Sequence, residues 1–121
     1  MRIWDVPAEV LCRQHLLGEH RELHAVWCIL TQGRSGYARH PEVLRWHGKL
    51  RALYERHDQL VAEMTRRGYR HASPLQLELA TGAAQQDVLL DPVARQYELL
   101  RGKGCACRLG AGMRGDTEAG A

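Results

Sequence analysis

The 121-residue chain has no phenylalanine, and aromatic residues make up only 6% of it. Its core volume must come from leucine, valine, three tryptophans and four tyrosines. Long apolar runs are also missing. The opening MRIWDVPAEVL contains none, so neither a secretory leader nor a membrane span is expected. That absence points to the cytoplasm, where thiols stay reduced. No cysteine stands outside four positions: Cys12 and Cys28 sit in apolar helical stretches and read as small core residues, while Cys105-Ala106-Cys107 has no second pair at ligand spacing. Such a pair alone is a weak metal signal. Lysine occurs only at Lys49 and Lys103. No large charge excess is present either. A net charge of +3 permits nucleic-acid binding without arguing for it alone. No strand pattern or internal repeat is evident. The length fits one domain able to bury a core without disulfides or a metal.

What is present is helical periodicity. Pro7 suits a first helical turn, with Glu9 near the positive helix end. From there to about Thr31, Leu16, Leu23, Trp27 and Leu30 recur at helical spacing. TQGRSGYARHP breaks the pattern and reads as a loop. A second long helix is expected from about Pro41 to Arg67, ended by Gly68. Ser73, Pro74 and Gln76 resemble a capping-box helix start, and DPVARQYELL from Asp91 predicts a last short helix. The expected fold is all-α: two long helices and shorter ones around one core over residues 1–107. Residues 108–121, rich in glycine and alanine, are expected to form a flexible tail.

QHLLGEHRELHAVW, residues 14–27, sets charge inside this pattern. On a helix, Gln14, Gly18, Arg21 and Ala25 share one row, and His15, Gly18 and Glu22 the next. The stripe is polar and small, away from the Leu16–Leu23–Trp27 face. Gly18 costs roughly 1 kcal/mol of helix stability against alanine, and it lets a partner approach the backbone. A solvated helix face and a surface for a phosphate backbone or anionic ligand are both open on spacing alone.

RIWDVPAEVLCRQHLLGEHREL resembles the N-terminal segment of the pyrimidine-dimer DNA glycosylase/AP lyase family. The resemblance rests on Arg2-Ile3, Gln14-His15-Leu16 and Glu19-His20-Arg21-Glu22-Leu23 at the family's spacing, and on a second block, residues 40–69, closing in Arg66-Arg67-Gly68-Tyr69. It implies an all-α, metal-independent repair enzyme whose N-terminal amine is the nucleophile and whose carboxylate, here Glu22, assists β-elimination. An α-amino group ordinarily titrates about 2.5 units below a lysine, so far more of it is neutral and nucleophilic near pH 7. Met1 precedes Arg2, and an initiator methionine is generally kept before a bulky residue, so the reactive amine is expected to be that of Met1. The resemblance places Arg2, Gln14, His15 and Arg21 near the DNA. No cofactor is implied. The implied partner is double-stranded DNA with ultraviolet lesions or abasic sites, bound by a monomer at the nucleoid and not at a membrane. Two departures stand out. Ala25 occupies the place of an arginine in the family's phage-encoded member, and the cysteine pair and glycine-rich tail replace that member's aromatic, basic end.

Arg34, Arg39 and Lys49 lie in or after the first loop and could track phosphates. His20, His24, His47, His57 and His71 read as surface or interface residues. Trp4, Trp27 and Trp46 read as core, with Trp4 close enough to the amine to line a base pocket. Arg66 and Arg67 suit a helix C-terminus. Two other function classes remain: a non-catalytic helical DNA-binding protein, and a metal-binding regulatory domain using Cys105 and Cys107.

Overall fold

A computed structural model describes residues 1–33, 36–71 and 73–108. Four α-helices occur among them: α1 (Arg13–Gln32), α2 (Pro41–Leu44), α3 (Leu50–Arg66) and α4 (Val93–Arg101). No β-strand forms among these residues; one isolated antiparallel bridge joins Lys49 and Gly82. The architecture is all-α and single-domain. No described helix is long and apolar enough to cross a membrane. Arg34 and residues 109–121, which include nearly all of the expected tail, lie outside the described residues.

The central contact is α1 against α3. Leu16, Leu23, Val26 and Trp27 of α1 are buried against a layer that includes Leu53, Leu60 and Met64 of α3. Each such side chain contributes about 1.5–3 kcal/mol by leaving water. Trp4, Trp27 and Trp46 are all core residues, as the composition requires.

The first expected helix is shorter at its start. Pro7 precedes a single 3-10 turn, Ala8–Val10, and the backbone is then extended at Leu11 and Cys12. Arg67 explains the interruption. Its guanidinium donates to the Glu9 and Leu11 carbonyls, at 3.3 and 2.6 Å, so these acceptors are tied to the end of α3 instead of continuing a helix. Glu63 holds Arg67 and Arg66 in turn. Arg67 therefore acts as a clamp, beyond the dipole complement read from the sequence. Cys12, not an acidic or hydroxyl residue, caps α1, its Sγ accepting from the His15 amide.

The second expected helix is broken. Gly48 adopts φ +72° and separates α2 from α3. The first free amides of α3, on Arg51 and Ala52, donate to the carbonyls of Thr81 and Ala83, so a distant segment satisfies the helix start. Gly82 has φ +84°, and a Cβ there would stand 2.1 Å from the Gly48 carbonyl oxygen. The Ser73–Gln76 start yields only a 3-10 turn, Leu77–Leu79, without a side-chain cap. The last helix forms, but Asp91 is spent on Arg2 instead of capping.

Candidate active site

Chain termini are usually loose, yet the N-terminal segment here is threaded into the core. Ile3 is fully buried, and Trp4 and Val6 nearly so. Polar groups fix its backbone. Arg45 donates to the Ile3 carbonyl at 2.9 Å, and the Asp5 amide donates to Gln96 Oε1 at 2.7 Å. Arg45 and the Gln96 amide also grip the Asp5 carboxylate, at 3.2 and 3.0 Å. Arg45 is itself held by the buried Glu42 at 2.6 Å. Arg2 adds an ion pair with Asp91 at 3.0 Å and stacks its guanidinium over Trp4.

This anchoring sets the Met1 amine 3.7 Å from Glu22 Oε2 on α1. Met1 and Glu22 border a cleft of about 390 Å³. Arg2, Gln14, His15 and Arg21 line the same cleft, so six of the nine residues singled out from the sequence for chemistry or phosphate contact come together. Arg39 and Lys49 do not join them. Arg39 is exposed in the loop before α2, and the Lys49 ammonium is held at 2.8 Å by both Gln86 and Asp87. Gly18 opens the cleft floor: a Cβ there would meet nothing nearer than an Arg21 terminal nitrogen, at 3.8 Å.

Sequence reasoning missed two residues of the site. Lys103, carried just beyond α4, lines the cleft. Glu19 lies beneath it, 2% exposed, and makes a two-point pair with Arg56 of α3 at 2.7 and 3.1 Å. Burial pushes the Glu19 carboxyl upward while the Arg56 guanidinium pulls it down; the two short contacts are those of an ion pair. Removing one partner of such a pair costs about 3–5 kcal/mol. No pattern around residue 103 marks Lys103 as a site residue, because the fold alone brings α4 back to α1.

On the other side of Met1 and Glu22 is a hollow of about 480 Å³, walled by Ala25, Cys28, Ile29 and Tyr37. Ala25, where the family's phage-encoded member carries an arginine, thus faces open space.

The histidines correct the expectation of scattered surface residues. His20 and His24 of α1, His57 of α3 and His71 converge, because the α1–α3 crossing brings three elements to one point. His57 is 3% exposed. Burial, reinforced by the neighbouring histidines, pushes His20 and His57 down to about 4. His47 stands apart from this group. Cys12 is buried as expected, but it belongs to a second group with His15, Cys105 and Cys107.

Over residues 1–77, more than half of its length, the chain matches the family model described as pyrimidine dimer DNA glycosylase. No curated protein and no solved structure matches it. The matched segment contains the N-terminal amine, the whole of α1 with Glu22, and the α3 surface that supports them. The chain therefore belongs to the pyrimidine dimer DNA glycosylase family, the enzymes of DNA repair that remove a damaged base and then act as AP lyases on the strand.

Proposed function

We propose that the Met1 α-amine is the nucleophile of this glycosylase and that Glu22 moves the protons. The observation that carries the reading is the amine held 3.7 Å from the Glu22 carboxylate at the end of a segment too well anchored to wander. The neutral amine attacks C1′ of the damaged nucleotide. The C1′–base bond breaks, and the base leaves with its electron pair and takes up a proton. The attached nitrogen loses a proton, and the C1′–O4′ bond opens to give an imine and a protonated O4′. Glu22, within a short shift or one water of the reacting atoms, takes a proton from C2′. The electrons released expel the phosphate from C3′ and cut the strand. Water then hydrolyses the imine and frees the amine.

Binding is assigned to the cleft face. Arg2, Arg21 and Lys103 supply positive charge, and Gln14 and His15 supply hydrogen-bonding groups. Arg39, exposed in the loop before α2, and Lys49, once it exchanges Asp87 for a phosphate, are assigned phosphate contacts away from this cleft. The substrate on this reading is double-stranded DNA with ultraviolet lesions or abasic sites, bound by a monomer in the cytoplasm at the nucleoid. Incubation with ultraviolet-irradiated plasmid and with abasic-site duplex tests the reading. Both should be nicked, and borohydride should trap the protein covalently on the abasic duplex. A folded, untagged protein that binds the duplex without nicking or trapping would establish the non-catalytic DNA-binding alternative.

A further inference from the structure

We propose that the chain carries two divalent-cation sites of the zinc class, one formed by Cys12, His15, Cys105 and Cys107 and the other by His20, His24, His57 and His71. In each group the four ligand atoms lie within 4.8 Å of one another; the first is the Cys3His set of structural zinc sites, and the second offers four imidazole nitrogens, which also bind zinc.

The histidine site has the tighter geometry. Nε2 of His57 lies 3.1 Å from that of His24 and 3.3 Å from that of His20, and His20 Nε2 lies 3.1 Å from that of His71. Zinc–nitrogen bonds of about 2.0–2.1 Å in a tetrahedron put neighbouring nitrogens about 3.3–3.4 Å apart, close to these values. Hydrogen bonding does not account for the arrangement. A neutral imidazole offers one N–H, at one nitrogen or the other. Along the chain His24–His57–His20–His71, at least one nitrogen must serve two neighbours with a single proton. A cation at the centre uses all four lone pairs at once. His20 and His24 are one helical turn apart, so both rings leave α1 on the same face.

The cysteine site is carried by separate contacts. His15 Nδ1 lies 3.2 Å from Cys12 Sγ and 3.3 Å from Cys107 Sγ, and the Cys12 amide donates to Cys107 Sγ at 3.1 Å. All four cysteines of the chain are free thiols. Cys-x2-His at the start of α1 and Cys-x-Cys after α4 are each half of a ligand set, and the fold joins the halves across about 90 residues. An ion there fastens the segment after α4 to the cap of α1. That segment includes Lys103, which lines the cleft. Together the sites hold α1 at its cap and at its crossing with α3, on either side of Gly18, the weakest point of the helix.

Neither site enters the amine chemistry, so metal content tests this inference independently of activity. Untagged protein supplied with zinc, freed of excess metal and assayed for zinc and protein, should hold two equivalents. The double variant C105S/C107S should hold one, and H57Q/H71Q should hold one. Cobalt is the second probe and reads ligand type without requiring the zinc count. Cobalt-loaded wild type should show thiolate-to-cobalt charge transfer together with tetrahedral d–d bands. C105S/C107S should lose the charge transfer and keep d–d bands, whereas H57Q/H71Q should keep the charge transfer. Wild-type protein that holds less than a tenth of an equivalent of zinc and gives no tetrahedral cobalt spectrum overturns both sites. One equivalent, with charge transfer that H57Q/H71Q leaves unchanged in amount, overturns the histidine site alone. One equivalent without charge transfer overturns the cysteine site.

Discussion

At the scale of single residues, the proposed site gives chemistry to Glu22 and access to Gly18. Glu22→Gln keeps the side chain's size and hydrogen bonding but removes the base. Strand cleavage of abasic duplex should fall by about 10²–10⁴-fold, the usual worth of a positioned general base, with duplex affinity unchanged in a filter-binding or anisotropy assay. Wild-type cleavage by this variant would remove Glu22 from the mechanism. Gly18→Ala meets no steric obstacle, so it should raise stability by about 1 kcal/mol while slowing nicking by narrowing the cleft. A variant both more stable and equally active would show that DNA does not approach α1 there. Met1, Arg2, Gln14, His15, Arg21 and Glu22, singled out by the family resemblance, come to one cleft because they stand within one helix and the segment before it. The metal-ligand groups were not. His20 and His24 gave a local signal, two histidines one turn apart, but His57 and His71 lie on other elements. Cys12 and His15 are separated from Cys105 and Cys107 by most of the chain.

At the scale of elements, the helix breaks are the features least visible in the sequence. Apolar residues recur at helical spacing on both sides of Gly48, so its left-handed turn is hidden inside a helical pattern. The cap of α3 comes from residues 81–83 and has no sequence signature at the helix start. The Glu63–Arg67 clamp is also tertiary, and it makes a pH prediction. Two arginines, Arg66 first, hold the Glu63 carboxyl down to about 2 from an ordinary 4.5. A lowered folded-state value stabilises the protein above the unfolded value and loses that contribution as pH falls from about 4.5 towards 2. Thermal midpoints measured from pH 6 to pH 2.5 should fall more steeply for wild type than for Glu63→Gln. At pH 7 the variant should be less stable by about 2 kcal/mol, the scale of a charged hydrogen bond. Parallel pH curves would show that the clamp contributes nothing.

At the scale of the whole molecule, the all-α class and the tryptophan-centred core followed from composition and periodicity. The threading of the N-terminal segment beneath Arg45 and Gln96 did not, because those partners lie 42 and 91 residues away along the chain. A chain ending after Arg108 keeps every described contact and both groups of metal ligands. Its thermal midpoint and nicking rate should match those of the full chain, and a drop of many degrees would assign residues 109–121 to the fold.

In the proposed chemistry one amine, that of Met1, works beside one carboxylate, and the location of the trapped adduct identifies that amine. The cleft offers two amines, Met1 and Lys103, while the only other lysine, Lys49, is held by Gln86 and Asp87. Borohydride-trapped protein on abasic-site DNA, digested and sequenced by mass spectrometry, should carry the sugar remnant on the Met1 α-nitrogen, with both lysines unmodified. A remnant on Lys103 or Lys49, with the Met1 amine free, would make a lysine the nucleophile instead.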